Sequence, residues 1–548
     1  MNDQKQNNIL FIMMDQLRWD CLSCYEQSVI ETPNIDRIAS KGVRFTNAYV
    51  QGSSCGNSRA SYYTGRHVRS HGATWNDWPF HVAEWTLSDY LKPSGTEIVL
   101  LGKTHMKPDL DGMSRLDIDI TSPIGKHVSN AGFVNGEHDD GLHPEGPLGR
   151  YNQIDPEYNK WVQQQGYKGD NAWLQWANAV EDNDGVIRSG FFMQHAHLPA
   201  RIPHELSETA YLTNKAIETI DTLGEKSWCI HLSYIKPHWP FVVSAPYNDM
   251  YRGIDLPPAI KSEKERENPH PIYREFMKLG VAKVFSDDAK RNHVMPAYLG
   301  LVKQLDDELG RLFQHLEDKG LDKNTNIVIT ADHGEYFGDH WLGEKDLFHD
   351  SAIKVPLIIH DPSPEADATR GKTCDELTCA IDLIPTFMEF MKQEPLYHRL
   401  EGRSLLPILH GKVFDSEREI IVCEDDYGRL PVAKILKRTP YNARMTMAFD
   451  GQYKFIHALG FDPILFDVKN DPQEFFDLGR DPGYAPVRYQ MQEKLLDWSA
   501  NLRNRAAVSD SMFSAYSGKS LRQGILPGFW SEDDVPQDRK IPTSTGIS

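Results

Sequence analysis

A scattered set of ionisable residues in this 548-residue chain stands where short apolar runs end. Asp15 and Gln16 close the run at 9–14. Lys103 and His105 follow the run at 97–101 as G-K-T-H-M, and His238 follows 228–234 in K-P-H-W-P. Asp332 and His333 follow 326–330 in A-D-H-G-E-Y-F-G-D-H, with Lys345 a little beyond. Cys55 and Arg59 lie in G-S-S-C-G-N-S-R-A-S-Y-Y-T-G-R-H, residues 52–67. Two carboxylates and an imidazole suit one divalent cation. Two lysines, an arginine and two further histidines suit a tetrahedral oxyanion and its leaving group. A lone Asp-His-Gly or Lys-x-His would decide nothing; the set together points to one site.

The elements that must position this set repeat along the chain. A helix, or the N-terminus, feeds a short apolar strand that ends in ionisable residues. Helical spacing covers 33–41, 207–223 and 298–319, and a helix begins at 86–91. The pattern predicts one α/β sheet with helices on both faces and its chemistry at the strand ends. Residues 106–205 are rich in Gly, Pro, Asp and His and read as long loops around the site mouth. From about 437 the sequence alternates through an Asp450-Gly451 turn, which predicts an antiparallel hairpin. A last helix is expected over 487–503, then an extended tail. The expected division is a catalytic domain over 1–435, an antiparallel sheet plus helix over 436–508, and a tail over 509–548.

Composition excludes some functions. Lys plus Arg number 59 against 78 Asp plus Glu, a net charge of −19, which argues against a nucleic-acid partner. Any anion site must then be a local basic well. Seven cysteines, an odd and sparse set, make no disulfide framework; Cys21 and Cys24 read as structural. The N-terminus has no secretory pattern and its apolar run is too short to span a membrane. A cytoplasmic protein without a membrane partner is expected.

S-S-C-G-N-S-R-A-S-Y-Y-T-G-R-H resembles the sulfatase motif C-x-P-S-R followed by T-G-R. N-I-L-F-I-M-M-D-Q, T-P-N-I-D-R-I-A-S-K-G-V-R-F-T-N-A-Y, L-L-G-K-T-H-M, K-P-H-W-P-F, the run from Ile329 to Phe348 and K-V-P-L-I-I-H are similar to the family's other blocks, in the family's order. The chain thus resembles, over roughly 8–480, the sulfatases of the alkaline phosphatase superfamily. The branch of cytoplasmic arylsulfatases and phosphonate monoester hydrolases is the one it is most like. The resemblance implies an alkaline-phosphatase-like mixed sheet flanked by helices, with a smaller C-terminal antiparallel sheet. It implies that Cys55 becomes formylglycine through a formylglycine-generating enzyme, attacks sulfur and passes through a covalent sulfo-enzyme intermediate. Asp15, Asp332, His333 and residue 55 would hold one divalent ion, Mn2+ or Ca2+, with Gln16 beside them. Arg59 would hold the hydrated aldehyde, Lys103 and Lys345 the non-bridging oxygens, His238 the leaving oxygen, and His105 would act as base. Asn76 and Gln16 would contact substrate.

Two departures shape the expectation. Asn57 stands where the family has proline or alanine. Gln16 and His333 match the phosphonate-hydrolase branch, whereas Lys103 and His105 match the Lys-x-His of sulfatases. The expected activity is hydrolysis of sulfate monoesters, aryl sulfates foremost, with side activity on phosphonate monoesters and phosphodiesters. The alternative is a phosphonate monoester or phosphodiester hydrolase using the same site. A non-catalytic relative is disfavoured by the complete ionisable set, and a serine- or threonine-based phosphatase by the cysteine. The apolar residues of the tail, Phe529 and Trp530 among them, predict a homodimer or homotetramer. His67, His71, His195, His197, Glu335 and Asp339 are left without a role.

Overall fold

The computed structural model describes residues 7–25, 29–141, 155–412, 418–516, 519, 523 and 528–535. Strands β1 (Asn8–Asp15), β2 (Val43–Phe45), β3 (Glu97–Gly102), β4 (Asn135–His138), β5 (Trp228–Pro237), β6 (Thr325–Ala331), β7 (Leu357–His360) and β8 (Lys372–Cys374) form an eight-stranded sheet. Its order is β8-β2-β7-β6-β1-β5-β3-β4. Strand β1 is central, parallel to both β5 and β6, and buried along its whole length. Only β7 runs against its neighbours, which makes the sheet mixed.

An uninterrupted apolar strand is stable in water only if both faces are covered, and helices cover both here. His231 of β5 bonds Tyr63 of helix α2 (Cys55–Thr64). Three residues on, and so on the opposite face, Tyr234 bonds Thr213 of α3 (Glu208–Leu223). Helix α1 (Pro33–Lys41) matches its expected bounds. Helix α4 (Gly280–Phe285) precedes the long α5 (Asp288–Asp318), and α6 (Leu383–Phe390) packs beside α2, Phe387 meeting Phe11 edge-on. The long helix begins ten residues earlier than Tyr298, where sequence reasoning placed it. Asp287 caps it by accepting from the Ala289 and Lys290 N–H groups, and Pro296 is carried inside.

The region 106–205 is not all loop, and 142–154 lies outside the described residues. It holds short helices at Leu110–Arg115, Pro123–Ser129 and Glu157–Gln164, and β4 is an edge strand of the main sheet, parallel to β3. The second sheet is an antiparallel meander of β9 (Ile421–Asp426), β10 (Arg444–Phe449), β11 (Tyr453–Ala458) and β12 (Ile464–Asp467). Gly451, at φ 93°, turns the β10–β11 hairpin. This sheet reaches upstream of residue 436, because β9 pairs with β10 across an intervening segment that carries no hairpin signal. Helix α7 (Ala485–Ala500) closes it through Met491 against Ala448, Phe455 and Leu465. Helix Asp510–Tyr516 follows, and Trp530 is 97 % exposed. None of the seven cysteines is in a disulfide. Among the described residues no helix is long and apolar enough to cross a membrane.

Candidate active site

Parallel strands deliver their carboxyl ends to one edge of a sheet. Asp15, Lys103, His238 and Asp332 come there from the ends of β1, β3, β5 and β6. Pairing slips between Met14 and Asp15, and Gln16 and His105 take left-handed backbone at φ 64° and 56°. Such conformations are costly for residues with a Cβ and concentrate at functional sites. Glu344 and Asp346, on either side of Lys345, are left-handed as well (60° and 72°).

Cys55 is the first residue of α2, after the extended Ser54. The departure at Asn57 has a local reason: its Oδ1 accepts from the Ser54 N–H at 2.9 Å, closing the start of the helix. Gly56 N–H donates to Asn76 Oδ1 at 2.7 Å. A Cβ on Gly56 would fall 2.7 Å from Trp75 O and Asn76 Cα, so glycine is needed for this close approach. Asn76 thereby bears on the turn that carries Cys55.

Arg59 is wholly buried and makes four bonds. Nε meets Asp332 Oδ2 and one terminal nitrogen meets Asp15 Oδ2, both at 2.9 Å; the other donates to Lys103 O at 2.8 Å and Ser233 Oγ at 2.7 Å. Lys103 Nζ lies 2.7 Å from Asp15 Oδ2, and Lys345 Nζ lies 3.3 Å from Cys55 Sγ. His333 Nε2 is 3.1 Å from the same sulfur, and His105 and His238 lie near enough to act on it. The expected set therefore converges on residue 55.

The electrostatics follow. Burial works against the Cys55 thiolate, but Lys103, Lys345 and His333 outweigh it and hold the thiol well below its ordinary value. Burial and Cys55 work against the Asp15 carboxylate, and Lys103 and Arg59 overcome them, so Asp15 stays ionised. Asp332 is pushed up by burial and by Asp15. Burial and Lys103 hold His238 down at about 3, leaving a neutral ring whose Nδ1 donates to Trp239 O at 2.7 Å. Lys345 is raised despite burial, by Cys55 and Glu344. The result is the basic well that an acidic protein needs to hold an anion.

The donor set fits a divalent cation. Ligand atoms of Asp15, Cys55, Asp332 and His333 lie within 4.8 Å of one another, all buried. His333 Nδ1 donates to Gly334 O at 2.8 Å, which leaves Nε2 facing the group. Gln16 Oε1 is buried without a hydrogen-bond partner, because its Nε2 is held by Glu335 Oε2. The sequence alone assigns Glu335 no role. Its Oε1 also accepts from the N–H groups of Phe337 and Glu344 at 3.0 and 2.7 Å, bracing the loop that presents Lys345. Partners that orient metal ligands are commonly worth 10–100-fold in affinity. Glu335→Ala should therefore weaken divalent-metal binding by about 10–100-fold with the helical content unchanged, as read by calorimetric titration and circular dichroism. Unaltered affinity would mean that the Gln16 amide is not a ligand.

Three other positioning residues escaped sequence reasoning. Ser233 receives Arg59. Asp140 Oδ1 accepts from the Thr104 and His105 N–H groups at 3.0 and 2.9 Å. Arg18 donates to the carbonyls of Glu335 and Tyr336 and to Asp339. Asp339, also bonded by Ser351 and Ile260, is a brace.

Comparison with known proteins places this site in context. The family model described as "Sulfatase" matches residues 7–127 and 149–393, and "N-sulphoglucosamine sulphohydrolase, C-terminal" matches 338–501. The chain is 29 % identical over 525 residues to the multifunctional alkaline phosphatase superfamily protein PehA of Trinickia caryophylli, covering 91 % of this chain and 96 % of that one. It is 26 % identical over 484 residues to an arylsulfatase of Clostridium perfringens, covering 86 % and 90 %. Among solved structures it superposes on the phosphonate monoester hydrolase SpPMH of Silicibacter pomeroyi with a TM-score of 0.78, at 27 % identity and 91 % and 96 % coverage.

Proposed function

The chain belongs to the sulfatase family, and on that premise we propose that it hydrolyses sulfate monoesters, aryl sulfates foremost, at residue 55. The observation that carries the reading is the pairing of Lys103 and His105 with Lys345 and His238 around one buried nucleophile position at a helix start. Cys55 Sγ stands where the reacting oxygen would be. Conversion to formylglycine by a generating enzyme would supply a geminal diol, one hydroxyl to attack and one to expel the bound anion, and a divalent ion, Mn2+ or Ca2+, would supply Lewis acidity.

The chain's own residues do the rest. Asp15, Asp332, His333 and Gln16 would hold the ion. Arg59 fixes both aspartates and fills the space behind them. Lys103 and Lys345 take the non-bridging oxygens of the ester. His238 borders the leaving oxygen; an anionic ester adds negative charge beside the ring and favours its protonated, donating form. His105 is within reach of residue 55 and takes the proton released when the anion departs. Asn76 steadies the nucleophile's turn and would contact substrate.

Phosphonate monoesters and phosphodiesters are proposed as side substrates. Gln16 and His333, and the likeness to a phosphonate monoester hydrolase, favour the reversed order of preference as the second reading. Sulfate and phosphonate monoesters are both monoanions, so ground-state charge does not separate them. Sulfuryl transfer moves charge onto the leaving oxygen and rewards cations and donors there. Each such contact is worth roughly two to three powers of ten in rate. Matched aryl sulfate, aryl phosphonate and diester substrates should show the highest kcat/KM for sulfate, and Lys103→Ala should lower sulfatase more than phosphonatase activity. A higher kcat/KM for the phosphonate would establish the second reading instead.

We also propose a homodimer or homotetramer in the cytoplasm. The exposure of Phe513, Tyr516 and Trp530 on the C-terminal segment supports association.

A further inference from the structure

Beside the site lies a groove of about 840 Å³ whose walls are mostly apolar: Phe191, Phe192 and Met193 on one side, Val281, Val284 and Val294 of α4 and α5 on the other. That size falls in the range of about 300–1,000 Å³ common for small-molecule pockets. Two connections tie the groove to residue 55. The His238 ring lies 4.3 Å from that of Trp239, and Trp239 meets Phe191 edge-on at 5.7 Å. Glu344 stands on the groove's rim, and the adjacent Lys345 reaches Cys55 Sγ. The wall is braced: His293 Nε2 and His197 Nδ1 both donate to Gln194 O, at 2.9 and 3.1 Å. Phe192 is nonetheless 65 % exposed, an arrangement unfavourable in water unless something apolar covers it.

In an in-line displacement the leaving oxygen departs on the side opposite the nucleophile. His238 borders that side, so whatever the oxygen carries continues past His238 towards Trp239 and Phe191. The rim carries Asp287 and Glu344 against Lys290, with His293 beside them, and offers no cationic cluster to a second anionic group. We infer that the groove is the subsite for the leaving alcohol and that the preferred esters carry an extended, uncharged, apolar body, larger than one aryl ring. The inference rests on the reading of residue 55 as nucleophile and His238 as leaving-group partner.

The test compares 4-biphenylyl sulfate with phenyl sulfate, whose leaving phenols are of similar acidity, so that the second ring is the difference read. The wild-type ratio of kcat/KM should favour the biphenylyl ester by about tenfold or more. In Val284→Glu, and in Met193→Glu on the facing wall, that ratio should fall towards one. Equal efficiency on the two esters in the wild type overturns the subsite and leaves the sulfatase reading standing. Turnover of neither ester overturns that reading and the subsite with it. A folded Val284→Glu variant that keeps the ratio but changes its mass in light scattering assigns the groove to a contact between copies of the chain, which also overturns the inference.

Discussion

Replacing Arg59 by leucine is expected to destabilise the metal-free protein by about 3–5 kcal/mol, the cost of stripping one partner from a buried ion network. Asp15 and Asp332 are both fully buried, and the guanidinium bonds both. Without it the carboxylates face each other with Lys103 at 2.7 Å from Asp15 and the His333 ring 3.9 and 3.8 Å from Asp15 and Asp332. Asp332, already pushed up by burial and by Asp15, would shift further towards its neutral form. A divalent cation bound by the same carboxylates would offset much of the lost charge. The variant should therefore lose more stability in chelator than with saturating metal, whereas a merely structural arginine would lose the same in both. Urea midpoints measured under the two conditions decide the point. Equal losses would show that Arg59 does not share its carboxylates with an ion. Activity should fall by at least about a hundredfold even with metal present, because Arg59 also ties down Lys103 O.

Much of this site was legible because it is made of strand ends. A strand buried on both faces is mostly apolar, so the run at 9–14 stops where chemistry begins, and the same logic finds Lys103, His238 and Asp332. The spacing of Cys55 and Arg59 places them one helical turn apart, which is how a single helix start carries both the nucleophile and the arginine that holds the aspartates. What stayed hidden is of another kind. Glu335 was in view within the D-H-G-E block, but nothing local says that its carboxylate reaches Gln16 from 319 residues away. Ser233 is one polar residue in a buried strand, and its partner Arg59 comes from α2, a segment 174 residues away. Asp140 follows β4, whose sequence N-G-E-H has no apolar period because an edge strand can rely on backbone pairing alone. The left-handed backbone at Gln16, His105 and Glu344 has no signature either. Each is imposed by hydrogen bonds from distant segments, such as Asp140 to His105 N–H, rather than by preference. The chemistry was written locally; the posture of the residues that perform it was written by tertiary contacts.

Cys55→Ser is expected to abolish turnover, by at least about three powers of ten, while leaving the fold in place. The side chain is small, it sits at the start of α2, and no core packing depends on the sulfur: its neighbours are Lys345, His333, His105 and His238. The same basic surroundings that lower the thiol would still activate a hydroxyl for one attack on an ester. A serine ester, however, has no second hydroxyl on the same carbon to expel the bound anion, so His105 would have no proton to take. One equivalent of phenol should be released and then no more, and the protein should gain the mass of one sulfuryl group. In the wild type, peptide mass spectrometry across residues 52–66 should find formylglycine at position 55. Asn57 fits the local fold through Ser54, so the unusual motif is structurally sound whatever fraction is converted. An unmodified thiol in fully active protein, or a serine variant that turns over repeatedly, would overturn the mechanism, since either would show that a single hydroxyl or thiol suffices to complete the cycle.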